Sequence, residues 1–172
     1  MKWTILLLFF INNSFAQDTY FGVKLGDFSL CPERYTDSGF EARICLSDSV
    51  VFNQDISEYR KNGSIVSFKK PDGSADIFYS LVMDDYATLF YLNLKEGAPP
   101  ILIDVLDIFP PHDDPDHSQL EGFKDFIIIY AGGEYHLMTN VVVKDGLVVG
   151  AGSNSGIRNI SDLLRKKMNT NK

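Results

Sequence analysis

Apolar and polar residues alternate along much of this chain, and an alternation with period two predicts strands that bury one face. The clearest series lies in the middle of the chain and covers residues 65–68, 75–83 and 86–94. Pro71-Asp72-Gly73 separates the first two runs and predicts a tight turn, because Pro presets φ and Gly accepts a positive φ. Asp84-Asp85 is predicted as the next corner, so these runs form a three-strand antiparallel meander.

A second series occupies the C-terminal part and contains predicted strands at residues 126–131, 134–143 and 147–151. Gly132-Gly133 and Asp145-Gly146 separate these strands and suit the positive φ angles of hairpin turns. Residues 159–168 then change to helical spacing. The apolar stripe of this helix comprises Ile160, Leu163, Leu164 and Met168. The glycine-rich segment 150–156 is predicted as a flexible connection from strand to helix.

The remaining parts of the chain give weaker signals. Strands are predicted at residues 17–25 and 40–46, turns at 26–39, a short pairing run at 50–53 and a loop or helical turn at 55–61. Residues 101–106 fit a buried strand or a short helix between prolines, and the strand is favoured. Hairpins join most of the predicted strands. The sequence therefore predicts an α+β fold, mainly antiparallel β-sheet in hairpin meanders, with one C-terminal amphipathic helix packed on the sheet.

The first sixteen residues have the pattern of a secretory signal peptide. Lys2 precedes the apolar run Ile5–Ile11, and Ser14-Phe15-Ala16 offers small residues at the two positions that a signal peptidase reads. We expect cleavage near Ala16 and a secreted or periplasmic protein, with residues 17–172 forming a single globular domain. The apolar run is too short to cross a bilayer, and no membrane span is predicted elsewhere.

The charge of the chain narrows the choice of partner. Its 172 residues carry a formal net charge of −7, which disfavours nucleic acid because phosphate backbones repel an acidic chain. A basic protein partner is compatible with the same charge. Asp113, Asp114 and Asp116 are the predicted partner-binding residues, because they concentrate carboxylates in one short polar segment.

Cys31 and Cys45 are the only cysteines of the chain. An exported chain meets oxidising conditions, so the pair is predicted to form a disulfide rather than to supply a catalytic thiol. A catalytic thiol needs a base beside it, and no histidine lies close to either cysteine in the sequence.

The segment 112–117 also supports an alternative in which the chain binds a metal. His112, Asp116 and His117 are potential ligands, and His136 on a predicted strand could complete the set. Imidazole and carboxylate together suit zinc or another divalent metal. The spacing fits no established ligand motif, and the competing interpretation is a solvated acidic loop without a cofactor.

The motifs that resemble catalytic sites are incomplete. Residues 152–156 place Asn154, not serine, at the centre of a glycine-flanked pentapeptide, so a nucleophile elbow is absent. No catalytic residue is therefore predicted. The preferred hypothesis is an exported, small, acidic, non-enzymatic binding protein, an inhibitor or immunity-type protein that recognises a protein partner. The alternative is a metal-binding protein or metal-dependent hydrolase that uses the segment 112–117.

Overall fold

The computed structural model describes residues 19–20, 23–25, 27–58, 60–83, 86–108, 127–144 and 147–170. Within these ranges the strands are β1 (Thr19–Tyr20), β2 (Val23–Leu25), β3 (Phe28–Leu30), β4 (Arg34–Thr36), β5 (Gly39–Leu46), β6 (Ser49–Ile56), β7 (Lys61–Lys69), β8 (Ala75–Val82), β9 (Ala87–Leu94), β10 (Ile101–Ile108), β11 (Ile127–Ala131), β12 (Glu134–Lys144) and β13 (Leu147–Asn159). The helix α1 (Ser161–Thr170) follows.

These strands form three antiparallel sheets. The central sheet has six strands in the order β1-β2-β7-β8-β9-β10, and its core is the meander from β7 to β10. A four-stranded sheet contains β3 to β6, and a three-stranded sheet has the order β11-β12-β13. The predicted α+β fold, mainly antiparallel with one C-terminal helix on a sheet, is confirmed.

The central sheet is buried on both faces, because each of the other sheets covers one of them. Every residue of β8 is buried. Phe78 points into one core with residues of the three-stranded sheet and α1. Its neighbours Ile77 and Tyr79 point into a second core with residues of β5. Alternation along a strand sends successive side chains to opposite faces, so β8 supplies both cores at once.

The four-stranded sheet is built around β5, which has β3 and β4 on one side and β6 on the other. Ser47 and Asp48 form the two-residue turn between β5 and β6, with positive φ angles of 48° and 66°. Phe40, Ala42 and Ile44 of β5 face the central sheet. Cys45 follows Ile44, so its side chain points to the opposite face of β5. It forms a disulfide with Cys31, which confirms the predicted pairing. Both cysteines are buried.

The three-stranded sheet and α1 cover the other face. Gly132 and Gly133 form the turn between β11 and β12 with φ angles of 61° and 85°, which confirms this predicted hairpin corner. The predicted stripe of α1 is also confirmed: Ile160 and Leu164 are buried in the core, and Leu163 and Met168 pack against it. Among the described residues, no helix has both the length and the apolar character that a membrane crossing would need.

Some sequence predictions were wrong in detail. Residues 26–39 are not only turns, because β3 and β4 both pair with β5. The segment 150–156 is not a connection, since β13 continues to Asn159. Ala151 pairs with Val141 and Gly156 with Thr139, so the intervening residues form an irregular bulge within the strand. The strand favoured at 101–106 is confirmed as β10.

Candidate functional site

The described part of the chain buries one carboxylate completely, that of Asp76 in β8. Its Oδ1 accepts hydrogen bonds of 2.7 Å from the Tyr91 hydroxyl and 2.7 Å from the Asn93 side-chain amide. Its Oδ2 accepts a bond of 2.5 Å from the Tyr135 hydroxyl and lies 2.6 Å from Nζ of Lys70. These five residues constitute the Asp76 cluster.

The local structure explains how each member reaches the carboxylate. Asp76 and Asn93 are directly paired across β8 and β9, and Tyr91 is two residues from Asn93 on the same face. Lys70 follows β7 and lies at the turn that leads into β8. Tyr135 comes from the covering layer, where it is the second residue of β12. The cluster therefore joins the central sheet to the three-stranded sheet.

The start of α1 holds Tyr135 in place. The backbone N–H of Tyr135 donates to Oγ of Ser161 at 2.7 Å. In return, the backbone N–H of Ile160 donates to the Tyr135 carbonyl at 2.9 Å. The tyrosine is thus fixed at its backbone by the start of the helix and at its hydroxyl by Asp76. A shift of the helix would therefore displace the hydroxyl that donates to the carboxylate.

Burial governs the electrostatics of this cluster. Burial, followed by the charge and the hydrogen bond of Asp76, raises the pKa of the Tyr91 phenol well above its ordinary value. Burial and the same carboxylate raise the pKa of Tyr135 in the same direction. The Tyr135 ring lies 4.9 Å from that of Phe78 and 5.3 Å from that of Phe68. Both phenols therefore remain protonated hydrogen-bond donors at neutral pH.

The geometry indicates a structural role for the Asp76 cluster. A carboxylate has about four lone-pair directions, and four donors occupy those of Asp76. A general base or nucleophile needs a free lone pair directed at a substrate. Asp76 has no free lone pair, because its four donors enclose the carboxylate, and no substrate can reach it, because it is 0% exposed. The cluster acts as a polar link between two layers.

A second polar network lies beyond the opposite end of β8. The Arg60 guanidinium donates to Oγ1 of Thr88 at 2.7 Å and to a carboxylate oxygen of Glu58 at 2.7 Å. Thr88 in turn donates to Asp107 of β10 at 2.7 Å. The guanidinium carbon also lies 5.4 Å from the centre of the Tyr86 ring. Because these bonds connect the segment before β7 with β9 and β10, the network fastens this end of the central sheet.

The residues predicted for metal binding are only partly within the described ranges. His136 lies on β12 beside Ile129 of β11 and Asn159 of β13. No three metal-ligating side chains come together within the described residues. His112, Asp116 and His117 lie outside those residues, so the zinc hypothesis stays a prediction. Metal analysis of the purified protein tests it: stoichiometric zinc that is lost in a His112/His117 double variant would support it.

The predicted partner-binding residues Asp113, Asp114 and Asp116 also lie outside the described residues. The exterior that is described includes the edge strand β6, which pairs with β5 along one side. The register shifts between Ile44 and Cys45, so Val51 of β6 has no direct partner across the pair. Val50 and Val51 are consequently both exposed, by 50% and 42%.

The Asp76 cluster was missed by sequence reasoning, although a signal for it exists. Asp76 is the one charged residue in the apolar strand Ala75–Val82, and a charge in such a strand demands partners if the strand is buried on both faces. Tyr91 and Asn93 share the alternation of β9, which offers two such partners. The contribution of Tyr135 could not be found this way, because it comes from another sheet.

The chain is thus a protein of mainly antiparallel β-sheet with one C-terminal helix, and its completely buried carboxylate, Asp76, has a structural role. Comparisons of the chain with protein-family models, with curated proteins and with solved structures return no match.

Proposed function

We propose that the chain is an exported, acidic, non-enzymatic binding protein that recognises a basic protein partner, as an inhibitor or immunity-type protein does. The signal pattern of residues 1–16 supports export, and the buried disulfide between Cys31 and Cys45 is compatible with an oxidising compartment. Asp76 is buried and fully engaged by its four donors, so this carboxylate is not a catalytic candidate.

The observation that carries the proposal is the exposed edge of β6. Eight residues long, this strand is paired on one side within the described part of the chain. An edge strand presents backbone N–H and C=O groups to which an extended segment of a partner can add. Val50 and Val51 would contribute apolar contact beside those backbone bonds.

The charges around this edge favour a basic partner. Asp48 in the preceding turn and Asp55 near the end of β6 are both exposed. They therefore lie on either side of the two valines along the strand. A partner segment with an apolar centre and basic flanks would meet complementary groups along the whole strand, which favours rapid and specific association. Asp113, Asp114 and Asp116 would add to the same attraction as predicted from the sequence.

Affinity capture from the exported fraction of the native source tests the proposal. The wild-type chain is compared with Val51→Lys, which charges the β6 edge, and with Ile101→Lys as a matched control. Ile101 is an exposed residue of the edge strand β10, with 46% exposure. One partner retained by the wild type and by Ile101→Lys, but lost with Val51→Lys, is the expected result. Equal capture by all three would contradict it.

The identified partner then allows the electrostatic part to be measured. Reversing the charges of Asp113, Asp114 and Asp116 to lysine should slow association by about tenfold at low salt, and the difference should shrink at high salt. An association rate that the triple variant leaves unchanged would remove the segment 112–117 from the binding surface, while the β6 arm of the experiment would stand separately.

A further inference from the structure

The inward side of β6 is only partly covered. Phe52 and Ile56 point toward the core between the central and four-stranded sheets, and both are partly buried there. Their direct partners on β5, Ile44 and Phe40, are buried with exposures of 0% and 1%. The apolar core therefore ends at β6 with a row of side chains that keep part of their surface in water. Apolar side chains placed beside this row would remove that surface from water.

The outward side of β6 carries a charge that is not balanced. Asp55 lies directly opposite Glu41 of β5, and like charges in such a pair repel each other. Glu41 is balanced from its other side by Arg34, whose guanidinium lies 3.0 Å from its carboxylate. Within the described part of the chain, the Asp55 carboxylate has no hydrogen bond and no ion pair. The position left for its cation is beyond the edge, on the side away from Glu41.

Several exposed carboxylates elsewhere in the protein have such a cation. Asp27 lies 3.1 Å from Nζ of Lys69, and Asp72 lies 3.1 Å from Nζ of Lys95. Asp55 differs from these groups because it lies on a strand whose other side is open to a further strand. Its charge therefore complements a basic group that arrives with that strand.

Building on the β6 edge proposed for partner binding, and depending on it, we infer that β6 recognises an amphipathic strand with a lysine or arginine directly opposite Asp55 and apolar residues on both sides of that cation. Alternation along a paired strand turns these apolar neighbours inward, toward the row of Phe52 and Ile56. The outward row across the enlarged sheet is then Arg34, Glu41, Asp55 and the partner's cation, so that each carboxylate lies beside one positive charge.

Two synthetic strand segments test this register, each of about nine residues and joined by a flexible linker to the same soluble carrier protein. Both have valine at every second position and threonine between the valines, with either lysine or glutamate in the centre. Binding to the wild type, Asp55→Lys and Glu96→Lys is measured by biolayer interferometry. Glu96 is exposed in the turn between β9 and β10, so Glu96→Lys makes the same change in net charge away from β6.

The wild type and Glu96→Lys should bind the lysine segment about tenfold more tightly than the glutamate segment, because opposite charges attract and like charges repel across a strand pair. Asp55→Lys should reverse this preference. The backbone amides of β6 should exchange more slowly with solvent when the lysine segment is bound to the wild type, whereas those of the other edge strand, β10, should be unchanged.

Absence of binding up to millimolar concentration would overturn the inference, as would a preference that Asp55→Lys leaves unchanged or that Glu96→Lys reverses as well. Slower exchange in β10 instead of β6 would also contradict it. If capture of the native partner depends on Val51 while the segments show no preference at Asp55, the β6 edge stands and this register is wrong. If the segments pair as expected but Val51→Lys does not alter capture, the proposed function fails and the register stands.

Discussion

The two faces of the central sheet are covered in different ways. The face toward the four-stranded sheet is lined by apolar side chains such as Ile44, Ile77 and Leu92, and the Tyr79 hydroxyl on this face donates to Gln54 at 2.8 Å. The face toward the three-stranded sheet and α1 has an apolar core as well, but it also encloses the Asp76 carboxylate with two tyrosine hydroxyls.

The difference follows from how each covering layer is connected. The four-stranded sheet is held by tight hairpins and by the Cys31–Cys45 disulfide, so its strands have little freedom to slip. The three-stranded sheet follows β10 only after residues 109–126, and apolar packing by itself tolerates more than one register. A buried carboxylate with four donors loses its partners if the layers shift. We therefore expect the Asp76 cluster to specify where the second layer docks.

Removing the carboxylate should give the largest effect on this comparison. Asp76→Ala leaves the hydroxyls of Tyr91 and Tyr135 and the Asn93 amide without their acceptor in a buried site. We expect a loss of about 3–5 kcal/mol in the free energy of unfolding, measured by urea denaturation. Asp55→Asn, at an exposed position of β6, is the control and should change stability by less than about 0.5 kcal/mol. A loss no larger than that of the control would show that the cluster does not link the layers.

The disulfide should rank second and act on the other face. Its sequence separation is 14, and a loop of about this length corresponds to roughly 3 kcal/mol on the chain-entropy model. The Cys31→Ala/Cys45→Ala double variant should lose that amount in the same assay. Hydrogen exchange should become faster in β3 to β6, whereas the backbone amides of β12 should remain protected. Equal loss of protection in both layers would mean that the two covers are not independent.

The sequence predicts the local features of this fold, but not the contacts between residues that are far apart in the chain. Pro71-Asp72-Gly73 and Gly132-Gly133 were recognised because turn chemistry is local, and the disulfide because there were two cysteines to pair. The Asp76 cluster is not local: Tyr135 lies 59 residues from Asp76 along the chain. Burial of β8 on both faces hid the cluster further, since a strand with two buried faces loses the alternation that marks an inward side.

A pair of tyrosine variants compares the two faces of the central sheet one hydroxyl group at a time. Tyr135→Phe removes one donor from the buried Asp76 carboxylate and should cost about 2 kcal/mol, because a buried charged acceptor loses a partner. Tyr79→Phe removes a neutral hydrogen bond to Gln54, which is only partly buried, and should cost about 1 kcal/mol. Both are measured by urea denaturation at neutral pH. The reverse order would place the more demanding polar contact on the face toward β5.

The decline of stability at alkaline pH gives the most specific effect. Burial raises the pKa of Tyr79, and burial together with Asp76 raises those of Tyr91 and Tyr135, all from an ordinary value of 10.0. In the unfolded chain these phenols lose protons near pH 10, while the folded chain keeps them. The stability they contribute is therefore fully present below about pH 10 and is lost as the pH rises further.

Each such tyrosine should steepen the decline by about 1.4 kcal/mol per pH unit above pH 10. Tyr79→Phe and Tyr135→Phe should each make the slope shallower by that amount, although their costs at neutral pH differ. The slope separates ionisation from packing, because phenylalanine fills the same space without a titrating group. Phe78→Leu provides the control: it changes the packing of the same core without removing a titrating group, so it should lower the stability and leave the slope almost unchanged. A slope that Tyr79→Phe reduces and Tyr135→Phe does not would mean that the Tyr135 hydroxyl reaches solvent, and that the polar link between the central and three-stranded sheets is open.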